Sequence, residues 1–181
     1  MVHKKNCLAE DDNLKTRNHS LLDLTVFCLD VDGVMTDGTF LYSVQGKSHK
    51  RFGPEDGDAL NILQRYVEIR FVTADHRGLG ISRARIERDL GFALELVPSA
   101  ERLTWLTQRY PLDRVAYMGD SFLDTKILRQ VAVAISPANA SPHAQSVSDF
   151  VTDSGGGAGA VAEACFYIAG RMEVEPPEFN F

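Results

Sequence analysis

The chain has 181 residues, of which 44% are hydrophobic and 24% charged, with a formal net charge of -6. That size and apolar content suit one core rather than two, and the acidic balance argues against a surface built to grip the phosphate backbone of nucleic acid, so an anionic ligand must be met by local cations. Three widely spaced cysteines, Cys7, Cys28 and Cys165, make neither a disulfide framework nor a zinc site, and no run reaches the ~18 apolar residues of a membrane span, so a cytoplasmic protein with no membrane partner is expected.

In chain order, residues 1–20 are polar and aperiodic and read as a flexible N-terminal arm with no signal-peptide core. Apolar runs bounded by turn signals follow at 24–31, 68–74, 93–97, 114–120, 131–136 and 149–153, and their length and composition predict buried strands. Segments with helical spacing separate them at 58–67, 80–91, 99–110, 122–130, 140–148 and 159–170. Strictly alternating strand and helix predicts an α/β fold, Rossmann-like, with a central parallel sheet flanked by helices. One insertion breaks the pattern: after the first strand, TFLYS and KSHKRF surround Gln45-Gly46 and predict a β-hairpin flap over about 38–52. The domain is therefore expected to span 21–170, and paired prolines mark 171–181 as a C-terminal tail.

Ligands of parallel sheets bind at the carboxyl ends of the strands, so the residues just after each strand carry the functional question. The first strand ends in FCLDVDGVMTDG, which places Asp30 and Asp32 two apart before Gly33. By itself this pair reads equally as a solvated acidic loop. The second strand ends at Thr73 in FVTAD, and the fourth at Gly119-Asp120 in YMGDSFLD, with Asp124 four residues on. Three strand ends thus supply carboxylate, hydroxyl and carboxylate.

That combination resembles the haloacid dehalogenase superfamily over about residues 24–170. With a hairpin and no second domain inserted, it is most similar to the capless branch typified by the 3-deoxy-D-manno-octulosonate 8-phosphate phosphatases. DVDGVMTDG, KRFGPEDGDALNIL, VAYMGD and SGGGAGAVAE carry the resemblance. It implies a Mg2+-dependent phosphatase acting on a small phosphorylated metabolite, such as a sugar-acid phosphate of surface-polysaccharide synthesis, and assembled through its hairpins as a homotetramer in which a neighbouring subunit helps close each active site. It also implies roles: Asp30 as the nucleophile that becomes an aspartyl-phosphate, Asp32 as acid and base, Thr73 on a phosphoryl oxygen, and Asp30, the Asp32 carbonyl and Asp120 on the metal. The chemistry is coherent, because a carboxylate nucleophile splits one hard hydrolysis into two steps while cations neutralise the equatorial oxygens.

Departures from the pattern leave choices open. Arg102 stands in register where the family usually has lysine, with Arg85 and then Arg83 as substitutes if Arg102 is an ordinary surface residue. Asp124 either holds a metal-bound water or caps the following helix. Thr73, Ala74 and Asp75 replace the usual Thr-Gly-Arg, and Ala162 stands before Glu163 where an arginine is common, so the sugar is not specified. His76 and Arg77 could touch substrate. Lys47, His49, Lys50 and Arg51 could form a cationic rim, although charges on an exposed edge also discourage strand pairing, and that reading is preferred for each. Gly155–Gly159 reads as a turn unless the family layout is invoked. The competing functional classes are a scaffold homologue with weak turnover, a phosphatase of some other sugar, and a signalling receiver; the last usually carries its early acids adjacent, unlike the spacing here.

Overall fold

The computed structural model describes residues 23–173; the expected arm and all but 171–173 of the expected tail lie outside the described residues. Strand β1 (Val26–Asp30) is followed by a hairpin of β2 (Leu41–Ser43) and β3 (Gly46–His49), then helix α1 (Glu55–Leu63) and β4 (Glu68–Thr73). Next come α2 (Leu79–Arg83), β5 (Ala93–Leu96), α3 (Arg102–Thr107), β6 (Val115–Met118), α4 (Thr125–Leu128), β7 (Val133–Ser136), α5 (Pro142–Gln145), β8 (Phe150–Val151) and α6 (Ala160–Arg171). All six predicted strands are present, each pairs in parallel with its neighbours, and the order is β5-β4-β1-β6-β7-β8.

The strands are nearly continuous apolar runs because both faces of the sheet are covered. Their period of two divides the core. Phe27 and Leu29 of β1, Phe71 of β4, Met118 of β6 and Ile135 of β7 pack in one buried cluster with residues of α1 and α6. Val26 and Cys28 of β1, Val72, Tyr117 and Ala134 pack in another with Leu106 of α3 and Ile127 and Leu128 of α4. Truncating Phe71 to alanine would cost about 3–5 kcal/mol at such a fully buried site. Because β1 sits centrally, the chain passes to β4 and β5 on one side and later to β6, β7 and β8 on the other, which puts the reversal of strand order at the carboxyl end of β1.

Two details differ from expectation. The helix expected over 80–91 is α2 followed by a wider π-helical turn, Ala84–Asp89, with Leu90 N donating to Arg85 O. The hairpin turns at Val44 and Gln45, one residue earlier than read, with Gly46 taking the positive φ of 114°. An antiparallel bridge between Thr36 and Phe52 closes the base of the hairpin. A few residues after that bridge, Asp56 of α1 accepts from Val161 N at 3.0 Å and Ala162 N at 3.1 Å, satisfying amides that α6 cannot pair internally. Burial pushes the Asp56 carboxyl above the usual range, but those amides oppose the shift.

Candidate active site

Asp30 is the last residue of β1 and is only 6% exposed. Its Oδ1 accepts from Val31 N at 2.7 Å, and the Arg102 guanidinium meets both carboxylate oxygens, Nη2 to Oδ1 at 3.0 Å and Nη1 to Oδ2 at 2.9 Å. Arg102 opens α3 and is itself 4% exposed, so it is no surface residue. The planar fork matches a carboxylate edge in a way a lysine cannot. Arg85 lies elsewhere: Nη1 pairs with Asp89 Oδ2 at 3.8 Å on the π-helical turn, while Arg83 faces Glu87 at 3.4 Å. Of the three arginines, Arg102 is thus the one whose guanidinium lies against Asp30.

Asp120 follows β6, and Asp124 lies in the short 3-10 turn Phe122–Asp124 that leads into α4. Carboxylate oxygens of Asp30, Asp120 and Asp124 lie within 4.8 Å of one another. Asp124 makes the helix cap expected of it and also lies in the acidic cluster. Its Oδ2 accepts from Ser121 N at 3.0 Å in a capping box, while its Oδ1 receives Arg102 Nη1 at 3.1 Å and the Tyr117 hydroxyl at 2.8 Å. Burial and then the neighbouring acids Asp30 and Asp124 push Asp120 up to about 7. Burial also pushes Asp30 up to about 6, with Arg102 opposing and Asp124 reinforcing the rise. One guanidinium does not neutralise three crowded carboxylates, so the cluster favours a further cation. Hard oxygen donors at this spacing fit Mg2+.

Gly33 shows how closely the acids are held. Its φ is 96°, and a Cβ there would lie 2.2 Å from Asp120 Oδ2. Gly155–Gly159 packs closely on the loop after β1: Gly157 N donates to Val34 O at 3.2 Å, and a Cβ on Gly156 would meet Gly33 O at 2.2 Å. Asn139 bridges the same two loops, with Nδ2 donating to Gly33 O at 3.0 Å and Oδ1 accepting from Gly156 N at 2.6 Å. The glycine segment buttresses the loop after β1. Sequence reasoning did not single out Asn139, since a lone asparagine in a loop carries no pattern.

Thr73 ends β4 fully buried and donates through Oγ1 to Asp32 Oδ2 at 3.2 Å, so its hydroxyl meets Asp32 in this structure. Ala74, His76 and Arg77 are exposed at the same strand end. The hairpin supplies a correction. Lys50 is no rim charge; its side chain is 0% exposed, and Nζ lies 2.6 Å from Asp32 Oδ1 and 2.9 Å from Asp75 Oδ2. Lys47 also reaches Asp75 Oδ2, with Nζ 3.4 Å from the centre of the Phe40 ring. His49 and Arg51 do stay exposed, and with Asp37, Thr39, Leu41 and Lys50 they line a cavity of about 200 Å³ beside the hairpin. Alternation on a short strand could not reveal that two of these four residues, Lys47 and Lys50, turn inward.

No family model matches the sequence. A 3-deoxy-D-manno-octulosonate 8-phosphate phosphatase from Yersinia pestis is 31% identical over 151 residues, covering 81% of this chain and 80% of that one. Among solved structures, a 3-deoxy-D-manno-octulosonate 8-phosphate phosphatase from Moraxella catarrhalis, in complex with magnesium, phosphate and KDO, superposes with a TM-score of 0.72 at 29% identity and covers 83% of this chain and 88% of its own. A hypothetical protein from Xanthomonas campestris superposes with a TM-score of 0.77 at 27% identity, covering 94% of this chain and 97% of its own.

Proposed function

The chain belongs to the 3-deoxy-D-manno-octulosonate 8-phosphate phosphatase family of the haloacid dehalogenase superfamily, and from that premise we propose that it hydrolyses a phosphorylated acidic sugar, 3-deoxy-D-manno-octulosonate 8-phosphate or a close relative, through a phosphorylated Asp30. One observation carries this reading: Asp30, at the end of the central strand, has both oxygens ordered by a buried Arg102 and shares its site with Asp120 and Asp124.

Asp30 attacks phosphorus in line with the leaving oxygen, and Arg102, already beside that carboxylate, offers its charge to the phosphoryl oxygens. Asp32, two residues on, gives its proton to the leaving alkoxide and then takes one from the water that hydrolyses the aspartyl-phosphate. Asp30, Asp120 and the main-chain carbonyl of Asp32 would hold Mg2+, with Asp124 beside them. When bound, the ion supplies positive charge for the phosphoryl group and draws Asp30 into its ionised, nucleophilic form.

The same reading extends to assembly. Leu41, Tyr42 and Val44 on the hairpin are 64%, 61% and 98% exposed, an apolar tip that suits burial against other copies of the chain in a homotetramer. Unpaired, buried Cys28 and Cys165 suit a reducing cytoplasm. Sedimentation of the native protein at monomer mass would remove the assembly from the proposal.

The decisive assay is phosphate release from 3-deoxy-D-manno-octulosonate 8-phosphate and from 4-nitrophenyl phosphate, with Mg2+ and with chelator, in wild type and Asp30→Asn. The expected outcome is magnesium-dependent turnover of both that Asp30→Asn lowers by on the order of 10⁴-fold or more. Equal rates in wild type and variant would end the phosphatase reading; turnover of the aryl ester alone would end only the sugar assignment.

A further inference from the structure

A closed ring of polar contacts encircles the Asp32 carboxylate. Thr73 Oγ1 donates to Asp32 Oδ2 at 3.2 Å and accepts from Asp75 N at 3.1 Å. The Asp75 side chain returns through Lys50, whose Nζ lies 2.9 Å from Asp75 Oδ2 and 2.6 Å from Asp32 Oδ1. Asp32 Oδ1 takes no hydrogen bond, so the charge of Lys50 is what meets it. The ring joins three separate segments: the loop after β1, the end of β4, and the residue that follows β3.

Lys50 could be read as a cation waiting for substrate, but its surroundings disagree. Its ammonium faces three oxygens, Asp32 Oδ1, Asp75 Oδ2 and Ser82 Oγ, the last at 2.9 Å, and its side chain is wholly buried. Three oxygens thus lie within 3 Å of the ammonium, two of them carboxylate. Asp75 is anchored in turn, with Oδ1 accepting from Gly78 N at 3.1 Å and Oδ2 shared by Lys47. Truncating Asp75 would take that counterion from Lys47, leave Lys50 paired with Asp32 alone, and release one side of the ring.

Resting on the phosphatase reading above, we infer that Lys50 and Asp75 are positioning residues: Asp75 holds Lys50 against Asp32, and Lys50 with Thr73 fixes the orientation of the carboxyl group that protonates the leaving alkoxide. Proton transfer in the transition state depends steeply on geometry, so an Asp32 free to rotate serves poorly as an acid even when the phosphoryl site is intact. The loss should scale with how much the leaving group needs a proton. A structural role for the ring would lower all substrates alike.

The test compares kcat/KM for 4-nitrophenyl phosphate, whose leaving group departs readily as an anion, with phenyl phosphate, whose leaving group needs the proton. Wild type, Asp75→Asn, Asp75→Glu and Lys50→Met are measured with saturating Mg2+. For Asp75→Asn and Lys50→Met the loss on phenyl phosphate is expected to exceed that on 4-nitrophenyl phosphate by about tenfold, carried by kcat, with Asp75→Glu recovering part of it. Equal losses on both esters, or a rise in KM with kcat unchanged, would overturn the inference and make Lys50 a packing or substrate-binding residue. Should one variant fail to fold, the other still decides, because each breaks the ring at a different point. Wild type inactive on both esters would instead sink the phosphatase reading and this inference with it.

Discussion

The two charge clusters flanking β1 are built on opposite principles. At the strand ends Asp30, Asp120 and Asp124 face a single guanidinium, and burial with mutual repulsion raises Asp30 to about 6 and Asp120 to about 7. Beneath the hairpin Asp75 faces both Lys47 and Lys50; burial would raise it, yet the two ammonium groups prevail and hold it near 2. The first cluster lacks positive charge, which on the proposed reading an added Mg2+ would supply. The second is balanced internally and spends its charge on geometry. Proximity of ionisable groups does not by itself distinguish a binding site from a brace; the sign of the residual charge does.

The sharpest way to break this comparison is to remove the one cation of the deficient cluster. Arg102→Ala should lower kcat/KM for any phosphate monoester by about 10²–10³-fold and destabilise the fold by about 3 kcal/mol through the unpaired buried carboxylates, seen as parallel losses in steady-state kinetics and in denaturant midpoint. Arg102→Lys should fall between, because an ammonium cannot span both Asp30 oxygens.

Crowding of the acids can be disturbed without changing charge. Gly33→Ala places a methyl against Asp120 in a backbone conformation that costs about 1–3 kcal/mol for a side chain. The expected result is weaker Mg2+ binding in calorimetry, with a loss of activity that higher Mg2+ partly restores.

A third outcome concerns pH. Asp30 and Asp120 have folded-state values above their ordinary range, so between about pH 4 and 7 the native state binds more protons than the unfolded one, and the metal-free protein loses stability as pH rises. Mg2+ binds the ionised carboxylates. Its stabilisation, read as a shift in thermal midpoint, should therefore be larger at pH 8 than at pH 5. Equal shifts would mean that the ion binds elsewhere.

The smallest effect is expected at Arg85, whose partner is Asp89 on the π-helical turn. Arg85→Ala should change kcat/KM less than about twofold and stability by less than about 1 kcal/mol. A collapse in activity would contradict the assignment of Arg102 as the cation of the site.

Much of the fold was legible because buried parallel strands write themselves as apolar runs such as VFCLD and VAYM, separated by helical spacing. Boundaries were less so: the π-helical turn after α2 has the same apolar rhythm as an ordinary helix over so short a stretch. Asp30, Asp32 and Asp120 could be singled out because acids at two ends of buried strands, with a hydroxyl at a third, are together poorly explained by packing, whereas the part of Asp124 stayed open. Lys50 was not, since its burial depends on Asp75 and Ser82, 25 and 32 residues away in sequence, folding over it.

Local chemistry in the sequence determined the alternation of elements, the carboxylates at the strand ends and the family to which they point. Only the tertiary structure decided which arginine faces Asp30, that Asp124 both caps a helix and joins the acidic cluster, and that the glycine segment braces the loop of Asp30 and Asp32. Periodicity reports which face of its own element a side chain occupies. Whether that face meets water or an opposite charge depends on elements distant in the chain, and that pairing exists only once the sheet has brought its strand ends together.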